Sequence, residues 1–320
     1  MKNIAVLEGG YSHEKVISLL SAETVFKHLD EEKYNPIKVR IDEEGWFAFY
    51  DGKKHAIDRS DFSFNNIKFD FIFIVIHGTP GEDGKLQAYF DMLGIPYSTC
   101  SHLASTLTFN KFVCNQYLKN FRIKVAEAVL IRQNESFQTN EIVSKVGLPC
   151  FVKPADGGSS FGITKVKSIK ELMPAIDKAF MYDEYILIES LLIGTEVTCG
   201  IHNLNGTIET FPITEIVSEN DFFDFEAKYE GKSKEITPAR ISDDMAKKVS
   251  ERTIEIYKLL ELNGIVRVDF IIMDNEPYII EANTVPGLSE ESIIPQQARC
   301  QGISLSELFN QSVEQMFHGK

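Results

Sequence analysis

Features that mark several classes of protein are absent from this chain of 320 residues. The five cysteines form no CxxC pair and their number is odd, which argues against a disulfide framework and favours a reducing cytosol. The chain has no run of lysine and arginine and its formal net charge is −14, so a nucleic-acid partner is disfavoured. No apolar run approaches the ~18 residues of a membrane span, and the N-terminal residues do not read as a signal peptide. We therefore expect a cytoplasmic protein without a membrane partner.

The rest of the composition is ordinary for a globular protein, with 43% hydrophobic and 25% charged residues. At roughly 150 residues per domain, the length predicts two domains or three small ones. Over the first 95 residues, apolar strands at 3–7 and 69–76 alternate with helices, which indicates an open α/β domain with a parallel sheet. From about residue 150, short strands separated by turns predict α+β structure with antiparallel sheets.

The first helix is predicted to begin after Ser12, a candidate N-cap. Val16, Leu19 and Leu20 would be its apolar positions.

The strongest chemical signal is the segment RVDFIIMDNEPYIIEAN, which reads as a hairpin of strands 265–273 and 277–283. Side chains alternate along a strand, so Glu281 and Asn283 share a face, and Asp269 can lie beside them. Two carboxylates and an amide oxygen suit Mg²⁺. An exposed hairpin face is the alternative, but both strands are otherwise apolar and Arg267 shares the face of Asp269, which favours a metal site.

A Gly/Ser-rich loop follows Lys153 in FVKPADGGSSFGITKV and leads into a second strand. Backbone N–H groups of such a loop can bind phosphate. No GK[ST] follows and strand leads to strand, so the segment is neither a Walker A motif nor a dinucleotide fingerprint. It is either a flap over a nucleotide or a plain β-turn, and the segment by itself leaves both open.

Two turns, 8–14 and 77–84, follow strands of the parallel sheet and should share the edge at which ligands bind in such sheets. Glu14 could hold a substrate ammonium there, or could simply favour the helix dipole. His77 alone does not indicate catalysis. Further along, residues 213–237 are polar with little periodicity, which is typical of a functional lid or a disordered loop.

In this order, five segments resemble D-alanine–D-alanine ligases of the ATP-grasp superfamily, and the likeness covers almost the whole chain. Each is moderately specific, whereas their joint order and spacing is highly specific. They are EGGYSHEKVISLLSA, HGTPGEDGKLQAYFDMLGIPYS, FVKPADGGSSFGITKV, FFDFEAKY and RVDFIIMDNEPYIIEANTVPGLSEESIIPQQA.

The resemblance implies an N-terminal open parallel-sheet domain (1–95) that holds the first D-alanine, followed by two α+β domains that clamp ATP: a central domain with the flap (96–183) and a C-terminal domain with the lid and metal site (184–320). It also implies the reaction. One D-alanine carboxylate takes the γ-phosphoryl group of ATP, and the amine of a second D-alanine attacks the acyl phosphate. Phosphorylation supplies a leaving group that a carboxylate lacks.

Site residues carried over from the resemblance fall into three groups. Two Mg²⁺ ions, for which Mn²⁺ can substitute, would be bound by Asp269, Glu281 and Asn283. Nucleotide contacts would be made by Lys111, Lys153, Gly157, Gly158, Ser160, Glu189, Leu192, Glu196, Phe222 and Lys228. The amino acids and the reacting groups would be contacted by Glu14, Ser159, Tyr229, Arg267, Gly287 and Ser292.

Without the resemblance, Lys111 would be a helix-surface lysine, Leu192 a core residue, and Tyr229 a loop residue. The resemblance also suggests a homodimer. Ligases that use D-lactate or D-serine as second substrate remain alternatives, although Tyr229 favours an amine over a hydroxy acid. A non-catalytic nucleotide-binding protein with this fold is the alternative from another class.

Overall fold

The computed structural model describes residues 1–155, 162–218 and 233–318. Its strands are β1 (Lys2–Gly9), β2 (Tyr34–Asp42), β3 (Gly45–Tyr50), β4 (Lys53–Ala56), β5 (Ser63–Phe64), β6 (Ile67–Lys68), β7 (Phe71–Ile74), β8 (Ala128–Arg132), β9 (Cys150–Pro154), β10 (Thr164–Val166), β11 (Tyr185–Ser190), β12 (Thr195–His202), β13 (Glu209–Thr210), β14 (Thr214–Ser218), β15 (Ser233–Ile236), β16 (Val266–Met273) and β17 (Glu276–Asn283).

Helices connect or cover these strands. Within the same ranges they are α1 (Lys15–His28), α2 (Lys85–Leu93), α3 (His102–Phe109), α4 (Lys111–Lys119), α5 (Thr139–Val146), α6 (Ile169–Ala179), α7 (Asp243–Leu259), α8 (Ile293–Cys300) and α9 (Leu305–His318). In this part of the chain, none of the helices is both long and apolar enough to cross a membrane.

The first sheet has the strand order β4-β3-β2-β1-β7. Its centre is parallel, as predicted, because β1 pairs with β2 on one side and β7 on the other. The two outer strands β3 and β4 join as an antiparallel meander. The parallel strands β1 and β7 end at the same edge, which places the turns after Gly9 and Ile76 next to each other.

Two antiparallel sheets follow, as the second half of the sequence predicts. One has the order β10-β9-β11-β8, and the other contains β15-β14-β12-β16-β17 with β13 beside β12. The ends of the predicted lid, 213–237, are not loop: β14 and β15 pair across it. Residues 219–232 between them lie outside the described residues.

Helix α1 differs from its sequence prediction. It begins at Lys15 with Glu14 in the N-cap position and no side-chain cap, so Ser12 does not cap it. Val16 and Leu20 are exposed, whereas the residues of its buried face are mostly small or polar, with one valine: Ser18, Ser21, Ala22, Thr24 and Val25. This face lies between the first sheet and α9, where there is little room for large side chains.

One hydrophobic cluster joins the two ends of the chain. Ile4 and Phe73 of the first sheet share a buried core with Leu308 and Phe309 of α9. The rings of Phe73 and Phe309 meet edge to face with centroids 5.9 Å apart. The boundaries predicted for the three domains stay a prediction, and this core crosses between the first and the last of them.

Candidate active site

A cleft of about 1130 Å³ lies between the three large sheets. Every described residue that the sequence nominates for the site lines it: Glu14, Lys111, Lys153, Glu189, Leu192, Glu196, Arg267, Asp269, Glu281, Asn283, Gly287 and Ser292. The remaining nominated residues, Gly157, Gly158, Ser159, Ser160, Phe222, Lys228 and Tyr229, lie outside the described residues. The structure therefore brings together residues that are up to 278 positions apart, the separation of Glu14 and Ser292.

The hairpin β16–β17 forms one wall with the register that alternation predicts. Asp269 lies opposite Glu281, and Arg267 lies opposite Asn283. The ladder slips between Asp269 and Phe270, immediately beside the Asp269–Glu281 pair, and such irregularities are common next to active sites. Two carboxylates and an amide therefore share one face of the sheet.

Asp269 is held by hydrogen bonds from three neighbours. The Arg267 guanidinium donates to both carboxylate oxygens, each at 2.9 Å. Asn283 donates through Nδ2 at 3.1 Å, and the Thr198 hydroxyl donates from the adjacent strand. A bidentate arginine fixes the plane of a carboxylate, so Asp269 is oriented before any ligand arrives.

Two lysines bring positive charge into the cleft, each against a carboxylate. Lys111 Nζ lies 3.1 Å from Glu281 Oε2, and both side chains are only 17% exposed. Lys153 forms an ion pair with Glu189 on the neighbouring strand. Burial lowers the pKa of Lys111, but Glu281 and other nearby carboxylates outweigh it and leave the pKa above its ordinary value. The Lys111 side chain is therefore a cation at neutral pH.

The edge of the first sheet supplies the opposite wall. Ser12 Oγ donates to the carbonyl oxygen of His77 at 2.9 Å, which joins the two predicted turns as expected. Gly78 has φ +67°, and a Cβ there would lie 2.8 Å from Ser12 Cβ, so both conformation and space require glycine. Glu14, two residues after Ser12, lines the cleft on this side.

Glu82 and His77 also line the cleft, although no sequence pattern assigns them a role. Burial raises the pKa of Glu82 to about 8, and the nearby Glu14 adds to the effect. One Glu82 oxygen accepts from the Gly78 N–H at 2.7 Å. Burial lowers the pKa of His77 and keeps it neutral, and its Nε2 has no hydrogen-bond partner among the residues described.

The third wall is the loop before α8. Ser292 occupies the N-cap of this helix without making a side-chain cap bond, and its hydroxyl instead lies 2.7 Å from that of Ser289. A Cβ on Gly287 would lie 2.8 Å from Ser292 Oγ. The Ser292 hydroxyl and the backbone at Gly287 are thus packed together at the cleft surface.

The donor set on the hairpin fits a hard divalent cation. Asp269, Glu281 and Asn283 offer only oxygen ligands, which Mg²⁺ and Mn²⁺ accept. Across residues 1–155, 162–218 and 233–318, no three His, Cys, Asp or Glu side chains are grouped for metal binding. A cation at the hairpin would therefore depend on the Asn283 amide and on oxygens from a bound phosphate.

Comparison with known families accounts for nearly the whole chain. Residues 3–100 match the model of the D-ala D-ala ligase N-terminus, and residues 117–314 match that of the D-ala D-ala ligase C-terminus. The chain belongs to the D-alanine–D-alanine ligase family. The predicted family, its ATP-grasp fold and the ligase class are thereby confirmed.

Relatives in this ligase family are similar over their full lengths. A D-alanine–D-alanine ligase from Flavobacterium johnsoniae is 53% identical, with 98% of this chain and 99% of the relative covered. One from Bacteroides fragilis is 47% identical, with 99% of each covered.

Solved structures agree with the fold. The VanG D-Ala:D-Ser ligase from Enterococcus faecalis superimposes with a TM-score of 0.89 at 33% identity over 98% of each chain. A D-alanine–D-alanine ligase from Bacillus anthracis in complex with ATP gives a TM-score of 0.83 at 26% identity, covering 100% of this chain and 98% of that one.

Proposed function

We propose that this chain joins two D-alanine molecules into D-alanyl-D-alanine, with ATP converted to ADP and phosphate, for the synthesis of peptidoglycan precursors. One observation carries the proposal: the hairpin carboxylates, two lysines, Glu14 and Ser292 line a single cleft. The family membership supports the same reaction.

The nucleotide would lie between the sheet of β9 and β11 and the hairpin. Lys111 and Lys153 project into this space and supply the positive charge that triphosphate oxygens require. Glu189, Leu192 and Glu196 line the wall beyond them, where the base and ribose would lie. The enzyme's contribution to phosphoryl transfer is then positioning and neutralisation of charge.

Mg²⁺ would be held by Asp269, Glu281 and Asn283. When bound, the ions neutralise charge on the phosphates as it moves to the leaving oxygen. Arg267 holds Asp269 in place through two hydrogen bonds. Its guanidinium also lines the cleft, where it could stabilise a developing oxyanion together with the Gly287 N–H.

The two amino acids would bind next to each other in the cleft, beside the hairpin. Glu14 carries the negative charge needed for the ammonium group of the first D-alanine, and Ser292 offers a hydroxyl to the second. Once the first carboxylate has accepted the γ-phosphoryl group, the second amine attacks its carbonyl carbon and phosphate leaves. A closed cleft protects the acyl phosphate from water during this interval.

D-serine is the second candidate for the acceptor. The likeness to the VanG D-Ala:D-Ser ligase, at 33% identity, is the observation that favours it. D-serine also presents an amine, so the reaction would be the same in kind.

Incubation with Mg-ATP and D-alanine tests the proposal directly. We expect D-alanyl-D-alanine by mass spectrometry with one ADP released for each dipeptide, and no dipeptide from L-alanine. Parallel reactions with D-serine or D-lactate added decide the acceptor. ATP binding without any amino-acid-dependent ADP release would instead favour a non-catalytic nucleotide-binding protein.

The remaining proposals concern the surroundings of the enzyme. We place it in the cytoplasm, where ATP and D-alanine are available, and we expect a homodimer. Sedimentation of the purified protein would distinguish a dimer from a monomer.

A further inference from the structure

Gln296 connects two parts of the cleft that are distant in sequence. Its side-chain Nε2 donates to Glu235 Oε2 at 2.9 Å and to the carbonyl oxygen of Glu291 at 2.6 Å. Glu235 lies on the edge strand β15, and Glu291 directly precedes Ser292. Both hydrogens of one amide are therefore used to join β15 to the loop before α8.

The loop held in this way is the one that presents Ser292. Because Ser292 does not cap α8 with its own side chain, its hydroxyl is directed to Ser289 at the cleft surface. The direction of the chain just before this helix is held by a bond from a different side chain. The bond from Gln296 to the Glu291 carbonyl does so one residue before Ser292.

The neighbouring Gln297 has a different task, which separates the two glutamines. Its amide is fully buried and bonds to β12, at Gly200 N and Thr198 O, each at 3.1 Å. Gln297 thus attaches α8 to the sheet. Gln296 bonds instead to Glu235 and to the loop before α8.

Glu235 is suited to hold Gln296. It is half-buried at the cleft wall, and burial raises its pKa while the Gln296 bond and the charge of Arg267 lower it. An acceptor that has already lost part of its hydration gains more from one well-placed donor than an exposed carboxylate does.

We propose that Gln296 and Glu235 are positioning residues for the second amino-acid substrate, acting by holding the loop that carries Ser292. The inference rests on the proposed function, in which Ser292 contacts that substrate. It predicts an effect on the binding of one substrate and none on the nucleotide, because the bonds of these residues among the described part of the chain include neither Lys111 nor Lys153.

The test compares Gln296→Met with the wild-type enzyme. Methionine keeps the length and volume of the side chain and removes both donors. In dipeptide assays at saturating ATP, the dependence on D-alanine gives one KM for each site, and we assign the higher one to the second site. We expect Gln296→Met to raise that KM about tenfold, as loss of an oriented contact would, with the lower KM and the KM for ATP within about twofold of wild type.

Variants at Glu235 test the same bond from the other side. Glu235→Met should raise the same KM, whereas Glu235→Gln keeps an acceptor oxygen and should restore it to near wild type. The double variant Gln296→Met/Glu235→Met should have a second-site KM no higher than that of either single variant, because the same bond is lost in all three. Gln311→Met is the matched control, since Gln311 makes an exposed bond to Glu307 on α9.

Three results would overturn the inference. A second-site KM that is unchanged in Gln296→Met and Glu235→Met would show that the bond does not position the loop. Equal increases in the KM for ATP and for D-alanine would indicate a general structural effect. Absence of dipeptide from the wild-type enzyme would remove the proposed function and this inference with it. If Gln296→Met does not fold, the comparison of Glu235→Met with Glu235→Gln decides.

Discussion

Single residues in the cleft carry charges that are matched before ligands bind. Arg267 is paired with Asp269, Lys111 with Glu281, and Lys153 with Glu189. Because each charge is largely removed from water, an isolated one would be costly, and the pairing offsets that cost. Substitution of one partner should therefore affect both the ligand site and the partner that remains.

Glu281→Gln isolates the charge that the proposed metal ions require. The substitution keeps the shape of the side chain and removes its negative charge, so we expect the rate of dipeptide formation to fall by at least about 100-fold. The variant should still fold, but its melting temperature should be lower than that of wild type, because Lys111 loses a partner that is largely removed from water. Glu276→Gln on the same strand, where Glu276 pairs with Lys248 at the surface, is the control. Near-normal turnover in Glu281→Gln would remove the metal assignment.

Glu82 makes the stability of the free enzyme depend on pH. Its pKa is about 8 in the folded chain against an ordinary 4.5, so the folded state binds more protons between these values. Stability should consequently fall as pH rises through this window. In Glu82→Gln the decline of Tm with pH should be smaller. Each kcal/mol of unfolding free energy that no longer depends on pH corresponds to roughly 2–4 °C in Tm. Thermal melts from about pH 5 to about pH 9 measure it, with the exposed Glu31→Gln as control. Parallel curves for wild type and Glu82→Gln would contradict this prediction.

Whether the sequence reveals one of these residues depends on how far along the chain its partners lie. Asp269, Glu281 and Asn283 follow from alternation on adjacent strands, since pairing in a hairpin is local. Glu82 and Gln296 could not be found in this way. Their importance comes from burial beside Glu14 or from a bond across 61 positions, and neither leaves a periodic pattern.

Among the elements, α8 shows how a short helix is fixed to a sheet. Strand β12 is paired on one side by β14 up to Thr198 and by β13 from Ile201. The Gln297 side chain bonds to β12 in the interval between them, and also to Thr214 Oγ1 at 3.0 Å. A side-chain amide therefore continues the ladder where no strand does.

Gln297→Leu should destabilise the protein. Leucine fills a similar space but leaves the Gly200 N–H and the Thr198 carbonyl without partners inside the protein, at a cost of about 1–3 kcal/mol for each group. Urea denaturation should show a lower midpoint with an unchanged slope. Gln311→Leu, on an exposed helix face, should have little effect. An equal stability of wild type and Gln297→Leu would show that these bonds contribute nothing net.

The sequence predicts whether a segment is a strand or a helix more readily than it predicts which parts of the chain pack against that segment. Strands β7, β16 and β17 lie where the sequence predicts them, because their buried faces are rich in large apolar residues. Helix α1 was misjudged because it is covered on both sides and therefore buries small residues, leaving Val16 and Leu20 exposed. No pattern in α1 alone shows that the far end of the chain packs on it.

At the scale of the whole molecule, the cleft joins α4 to the hairpin through Lys111 and Glu281. The ammonium group of Lys111 lies against the Glu281 carboxylate, where a metal cation would otherwise bind. Metal binding to Glu281 should therefore be weak until phosphate gives Lys111 another partner, so that nucleotide and metal favour each other.

Lys111→Met should strengthen the binding of Mn²⁺ in the absence of nucleotide. The Lys111 ammonium lies 3.1 Å from Glu281, so it competes with Mn²⁺ for this carboxylate and repels the ion. Without it, we expect about a tenfold lower Kd for Mn²⁺, equivalent to about 1.4 kcal/mol of binding free energy. Free Mn²⁺ measured by electron paramagnetic resonance reports this without turnover. Lys119→Met, at the surface end of the same helix, should leave the Kd unchanged. The same Kd for wild type and Lys111→Met would exclude the competition.

The core shared by the two ends of the chain also has a consequence for biosynthesis. Phe73 leaves the ribosome 236 residues before Phe309, which completes its packing. At ~5–20 residues per second, this apolar strand face waits on the order of ten seconds or longer for its cover. The nascent chain would be most prone to aggregate during that interval. Early termination of synthesis would release a chain whose first sheet keeps this apolar face uncovered.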